Sequence, residues 1–270
     1  MIISTFTTMT NPDVRKDPWQ EALTCYEDFS DELIIVGEDW PQEFKFDLIG
    51  KYFQKGFDIC SGDWVFRMDI DYFLHENNFD KLKYVLNKYS DYPAISFPQY
   101  QFFTPDRYQI KTRLCIALNK KIFPSIKFNG GGDLCLPTLN GELIDFRKMP
   151  NINIPIYQYD SMFRTKEIIS SDRARFARAW FNHFGNYGDR GGPSDAEAFE
   201  AWFEMIKKKY LYHTHKISLN KHPIYIRKLL KNLDHTQFGY DAFGLKNNTN
   251  RPIKNYLKGY KEKYINHYFY

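Results

Sequence analysis

The sequence predicts an α/β protein in which a mixed, mostly parallel sheet carries helices on both faces and is followed by a mostly helical C-terminal extension. Three observations predict it. Apolar runs of strand length alternate with stretches of helical period over the first hundred residues, the signature of strand–helix–strand units wound across one sheet. After Tyr100 the apolar runs shorten and glycine punctuates them, as in antiparallel edge strands and long loops. From residue 166 onward, helical signals prevail.

The elements follow in order. IISTF (2–6) is an apolar, β-branched run that opens into the polar TTMTNP. Asp17 and Pro18 suit the start of a helix on which Trp19, Leu23, Tyr26 and Phe29 recur at three and four residues. LIIVG (33–37) reads as a strand buried on both faces, ending at Glu38 and Asp39. A helix from about Phe46 to Ile59 sets Ile49, Tyr52, Phe53 and Phe57 on one side and Lys51, Gln54 and Lys55 on the other. WVFRM (64–68) is the next buried strand, and Asp69, Ile70 and Asp71 follow it at once. Asn78 offers a cap for a helix through Tyr89, and AISFPQY (94–100) is again a strand. Beyond it lie LCIAL (114–118), the turn NGGGD (129–133) and INIPIYQY (152–159). Ser194 and Glu197 form a capping box, and a further helix falls at about 223–233. The division that this suggests is a core over 1–165 and an extension over 166–270.

A chain of 270 residues with 43% hydrophobic and 18% aromatic residues buries a proper core, which excludes a disordered chain. No run of about 18 apolar residues occurs, and the first residues lack a basic segment and a small-residue cleavage site, so the expected location is cytoplasmic. The four cysteines form no CxxC pair and read as small buried hydrophobes. Net charge is divided unevenly. Residues 1–150 hold 17 Lys+Arg against 22 Asp+Glu, and residues 151–270 hold 20 against 11. A basic second half suits nucleic acid, an anionic membrane surface or phosphorylated substrates, or is simply a solvated surface.

Ligands of an open α/β sheet bind beyond the carboxyl ends of its strands. Thr5 and Thr7 are read as following the first strand, Glu38 and Asp39 the second, and Asp69 and Asp71 the third. Two carboxylates separated by one residue converge on a hard cation, Mn²⁺ or Mg²⁺, which completes its shell with phosphate oxygens and water. Among the other polar groups, the histidines at 213, 215 and 222 read as capping or surface residues, and Lys207, Lys208 and Lys209 as a solvated helix end. Tyr256, Tyr260, Tyr264 and Tyr268 recur every four residues beside lysines. That stripe reads as a face packed back on the domain, with a membrane interface or sugar stacking as its other uses.

The stretch GKYFQKGFDICSGDWVFRMDIDYFL (50–74) resembles family-2-like glycosyltransferases of the GT-A fold, in which a helix bearing a basic residue leads through Gly-Asp-Trp to a strand ending in Asp-x-Asp. IISTFTTMTNP and DELIIVGED look like that family's first two strands and nucleotide-binding loops, and IPIYQYDSMFR and KHPIYIRKLL like later motifs of a related subgroup. The resemblance covers about 1–165, with an echo to about 231. It implies a Rossmann-like GT-A core and a nucleotide-diphosphate sugar donor. It places Thr5 in the loop lining the nucleoside, Glu38 and Asp39 at base or ribose, Lys51 at base or diphosphate, and Asp69 and Asp71 on the metal. The subgroup usually has a His where this chain has Gln158, which leaves His213 or His215 to close the metal site, or the carboxylates and diphosphate alone.

Inverting transfer needs a base for the acceptor hydroxyl. Asp133 is the first choice, because the glycines before it let backbone approach a sugar closely. Asp145 and Asp160 compete with it. The expected acceptor is a glycan or a lipid-linked one, with peripheral membrane contact through the C-terminal basic, tyrosine-rich helix. The reading from another class is a non-catalytic module that holds a glycan or single-stranded nucleic acid on the aromatic, basic second half. The acidic balance of the half bearing the paired carboxylates argues against nucleic acid.

Overall fold

The computed structural model describes all residues except 39, 42, 44, 248, 249 and 265–270. β1 (Ile3–Thr8) lies between β2 (Glu32–Val36) and β3 (Trp64–Arg67) and is parallel to both. Between β1 and β2 come the short α1 (Pro12–Arg15) and then α2 (Trp19–Phe29), and α3 (Leu48–Ile59) links β2 to β3. Side chains alternate across a strand, so Ile3 and Phe6 of β1 face opposite ways. Ile3 packs with Ala22, Cys25 and Tyr26 of α2, whereas Phe6 packs with Phe53 and Phe57 of α3. The two helices therefore cover opposite faces of the sheet. Phe6 is fully buried with ring contacts to Phe53 and Phe128, and its loss to alanine should cost about 3–5 kcal/mol.

β4 (Tyr72–Phe73) and α4 (Phe79–Lys88) lead to a long hairpin of β5 (Ala94–Thr104) and β6 (Arg107–Asn119), and β10 (Ile156–Gln158) runs parallel to β5. Among the described residues the sheet order is β2-β1-β3-β6-β5-β10-β4, with β11 (His215–Lys216) paired to β6. β6 opposes β3, β5 and β11, and β4 opposes β10; the remaining strands share one direction. The result is the mixed, mostly co-directional α/β sheet that the sequence predicts. A small second sheet of β7 (Lys127–Gly130), β8 (Leu136–Leu139) and β9 (Glu142–Leu143) packs on α3. Gly50 makes that approach possible: a Cβ there would stand 2.3 Å from the carbonyl oxygens of Phe128 and Leu134.

The extension supplies α5 (Lys166–Phe184), α6 (Asp195–Tyr210), α7 (Arg227–Lys231), α8 (Phe238–Asp241) and α9 (Ile253–Tyr264). The capping box of Ser194 and Glu197 opens α6 as read from the sequence. Ile226 and Leu230 join the core cluster of the sheet. Among the described residues no helix is long and apolar enough to cross a membrane, and the four cysteines are unpaired.

Four local expectations differ. β2 is not buried on both faces: among the described residues it lies at the sheet edge and pairs with β1 alone, and Ile35 is exposed. Asp17 does not cap α2, because its carboxylate is taken by Arg15 and Arg164. INIPIYQY yields strand over Ile156–Gln158 alone. The tyrosine stripe does not pack back on the domain, for Tyr256, Tyr260 and Tyr264 are all exposed; Tyr268 lies outside the described residues.

Candidate functional site

At the carboxyl ends of β1, β3 and β10 a cleft of about 380 Å³ opens between the sheet and α5. Its floor is the turn that follows β3. The Met68 N–H donates to the Phe6 carbonyl at 3.0 Å, and the Tyr72 N–H closes the turn on the Asp69 carbonyl at 2.7 Å. The buried Tyr26 hydroxyl donates to the carbonyls of Asp69 and Tyr72 at 2.6 and 2.9 Å. The Tyr159 N–H holds the Asp71 carbonyl at 3.0 Å. With its backbone fixed from three sides, the turn sends both carboxylates into the cleft.

Arg67 Nη1 donates to Asp69 Oδ1 at 2.7 Å. Asp71 accepts from Gln158 Nε2 at 3.3 Å, and Gln158 Oε1 in turn accepts from Gln99 Nε2 at 2.7 Å. The Gln158 oxygen is thus directed at Gln99 and away from the carboxylates. Burial, then the nearby charges of Asp69 and Asp160, push the Asp71 carboxyl up to about 7. Asp160 itself accepts from Gln101 Nε2 at 3.2 Å and from Ser161 Oγ at 3.0 Å. Burial raises its carboxyl, but Arg173, Lys111 and Arg164 together outweigh that and hold it below the usual range. Ser161 beside it has φ of 59°, a left-handed conformation that is uncommon outside glycine.

The opposite wall is arginine. Arg164 donates from Nε to Asp17 at 3.0 Å and from Nη1 to Asp172 at 3.1 Å, and Arg15 bridges the same two carboxylates at 3.0 and 2.9 Å. Arg175 adds a bond to Asp172 at 2.9 Å. Burial opposes the charge of Asp172, yet the surrounding arginines hold its carboxyl far below the usual range. Arg173 stands nearer the floor, with Nη2 at 3.6 Å from Asp160 and 3.4 Å from Ser161 Oγ, while its buried Nε finds no partner among the described residues. Trp40, stacked on Tyr52 at 4.6 Å, closes the side near the Thr8–Thr10 loop. The cleft therefore offers clustered carboxylates, guanidinium groups and an aromatic face, a set suited to a ligand with a divalent cation, phosphates and a planar ring.

Of the residues singled out in the sequence, Asp69, Asp71, Gln158 and Asp160 meet here. Thr5 does not. It is buried inside β1, paired in register with Leu33 and Phe66, and the loop that reaches the cleft begins at Thr8. Lys51 lies on the exposed side of α3 and pairs with Asp47 at 2.8 Å, while Ile49 and Phe53 take the cleft side. Glu38 is exposed in the turn after β2 and is not among the cleft residues. Asp39 lies outside the described residues. Asp133 sits in the β7–β8 turn beside Cys135, whose thiol burial and then Asp133 push up, and the cleft does not include it. Asp145 caps the turn at Phe146 and binds Arg147. His213 is fully buried against Phe103 at 4.3 Å, and His215 faces Tyr108; neither reaches the cleft. Among the described residues no group of three or more His, Cys, Asp or Glu is arranged to hold a metal.

The arginine wall escapes sequence reasoning, since no motif marks Arg164, Arg173 or Arg175. The one signal was the excess of positive charge after residue 150.

No protein-family model matches the chain, and no curated protein matches it. Among solved structures it is similar to the crystal structure of S. aureus TarS, with 11% identity, a TM-score of 0.34, and coverage of 95% of this chain and 54% of that one. A second structure, S. aureus TarS 1–349, shows 10% identity and a TM-score of 0.29 over 100% of this chain and 93% of that one. The chain spans about half the length of the first of these. Likeness at this level assigns no role to any residue.

Proposed function

We propose that the protein is a glycosyltransferase that moves a sugar from a nucleotide-diphosphate donor to a glycan or lipid-linked acceptor, with inversion at the anomeric carbon. The observation that carries this reading is the meeting of Asp69, Asp71 and Asp160 with Arg173 in one cleft at the strand ends. Asp69 and Asp71 would hold Mn²⁺ or Mg²⁺. The donor set fits such an ion: two hard carboxylate oxygen donors on a rigid turn, crowded enough that Asp71 is raised to about 7 by burial and by its acidic neighbours. When bound, the cation neutralises charge growing on the departing diphosphate.

The chain's own groups supply the rest. The Thr8–Thr10 loop and Trp40 flank the nucleoside, and Arg173 meets phosphate oxygens with charge-assisted hydrogen bonds. Asp160 replaces Asp133 as the base, because it lies in the cleft and its arginine neighbours keep it in the ionised form that accepts a proton. As the acceptor oxygen bonds to the anomeric carbon, its proton passes to Asp160 and the bond to the diphosphate breaks.

The direct test is thermal: Mn²⁺ together with a nucleoside diphosphate should raise the melting temperature by more than the two effects measured separately, since ligands that bind the native state stabilise it by mass action. A screen of sugar nucleotides should then find one that is hydrolysed or transferred. Strictly additive shifts across all common nucleoside diphosphates would overturn the cation-bridged donor site.

A further inference from the structure

A surface helix in water normally turns its apolar stripe to the core, and α3 does so with Phe53 and Phe57. α9 does the reverse. Its buried residues are Asn255 and Gly259, while Ile253, Tyr256, Leu257 and Tyr260 are 77, 44, 66 and 59% exposed, and Tyr264 is exposed as well. At 3.6 residues per turn these five fall within an arc of about 100°. Lys254, Lys258 and Lys261 border that arc on one side and Lys263 on the other. None of the five apolar residues belongs to an apolar cluster among the described residues.

The orientation is built in. Asn255 Nδ2 donates to the Leu211 carbonyl at 3.0 Å. Gly259 presses so closely on the 214–215 segment that a Cβ would stand 2.5 Å from Thr214 Oγ1 and 3.2 Å from His215 Nε2. Rolling the helix to bury its tyrosines would drive a large side chain into that contact. The inward face is small and polar by sequence, and the outward face is apolar by sequence.

We propose that α9 is a docking helix for an anionic lipid surface, with Ile253, Leu257 and Tyr260 seated at the level of the headgroups and the flanking lysines on lipid phosphates. Charge selects this occupant: α9 carries four lysines and one glutamate, and that glutamate is paired internally with Lys258 at 3.8 Å. An apolar arc rimmed by lysine is the pattern of helices that lie in the plane of a membrane interface. Position agrees. β11, on which Gly259 rests, pairs with Arg107 and Tyr108 at the start of β6, beside the last residues of β5. By register β10 ends level with Gln101 and Gln109, next to that pairing, so α9 rests near the carboxyl end of β10, one of the strands that end at the cleft. The inference does not depend on the reaction assigned to that cleft.

Flotation of the full chain with vesicles tests it. Vesicles containing phosphatidylglycerol should carry the protein up, and vesicles of phosphatidylcholine alone should not. Leu257→Glu and Tyr260→Glu, both at well-exposed positions, should each lower vesicle affinity by about tenfold or more with an unchanged melting temperature, and Lys254→Glu with Lys261→Glu should do the same. Absence of binding to phosphatidylglycerol vesicles overturns the proposal, as does equal binding by the variants or equal binding to phosphatidylcholine. Light scattering that shows a dimer dissolved by Leu257→Glu, with no vesicle binding, would assign the face to a second copy of the chain instead.

Discussion

The floor and the arginine wall of the cleft differ in origin as well as in charge. Asp69 and Asp71 sit on a tight turn at the end of a central strand, fixed through backbone hydrogen bonds from Tyr26, Tyr72 and Tyr159. Arg173 and Arg175 come from the first half of α5 and Arg164 from the loop before it; Arg164 and Arg175 are placed by carboxylate partners, Asp17 and Asp172, and Arg173 by Asp160. A site built on a strand end is positioned by the sheet; a site built on long side chains is positioned by an ion-pair lattice. Loss of a floor carboxylate should therefore be felt in the chemistry, and loss of an outlying guanidinium in affinity.

The largest effect should come from the floor. Asp69→Asn and Asp71→Asn each remove one negative charge at nearly constant volume, and each should lower sugar transfer by roughly a thousandfold or more while far-UV dichroism and melting temperature stay close to those of the parent protein. The measurement is transfer to any acceptor found in the sugar-nucleotide screen. Parent-like rates in either variant would show that the floor is structural and would leave the arginines as the sole electrostatic element of the cleft.

Next in size is the base. Asp160→Asn should reduce transfer by about a hundredfold or more with donor binding nearly intact, the usual contribution of a general base. Asp133→Asn should leave the rate within about twofold, because its turn lies outside the cleft. The pair separates two readings of the same chemistry. If Asp133→Asn is the damaging change and Asp160→Asn the silent one, the β7–β8 turn must move onto the cleft during the reaction.

What was legible follows from the same contrast. WVFRM and the acidic residues after it could be read because a continuous apolar run marks a buried strand and its carboxyl end marks a site. Asp133 could be read as a turn residue but not placed: its distance from the floor depends on how the second sheet packs at Gly50, a contact between segments about eighty residues apart. The resemblance puts Thr5 in the nucleoside loop although it lies within IISTF; the first strand in fact runs on to Thr8, so the loop begins three residues later. The α9 stripe was visible as a period, but period alone does not say which face turns inward; Asn255 and Gly259 decide that through partners at 211–215. Local pattern carried the strands, and long-range packing carried the rest of the site.

The smallest effect sharpens the comparison between a cation chosen from sequence and one found in the fold. Lys51 and Arg173 are both basic residues on helices that border the cleft, and both are paired with an aspartate. Lys51 is 68% exposed and meets Asp47 one turn away, an i,i+4 pair worth about 0.3–0.5 kcal/mol and screened by salt. Arg173 lines the cleft and has a buried Nε that no described group satisfies, so a phosphate oxygen arriving there gains a donor that is already desolvated. Arg173→Ala should therefore weaken nucleoside diphosphate binding by about tenfold, the loss of one charge-assisted hydrogen bond, with Arg173→Lys recovering part of it. Lys51→Ala should leave the dissociation constant unchanged within about twofold and lower stability by no more than the value of its surface pair. Calorimetry on the two variants decides the matter: a loss confined to Lys51→Ala would return the diphosphate to α3, and the arginine wall would then serve only to brace α5 against the loop after β1.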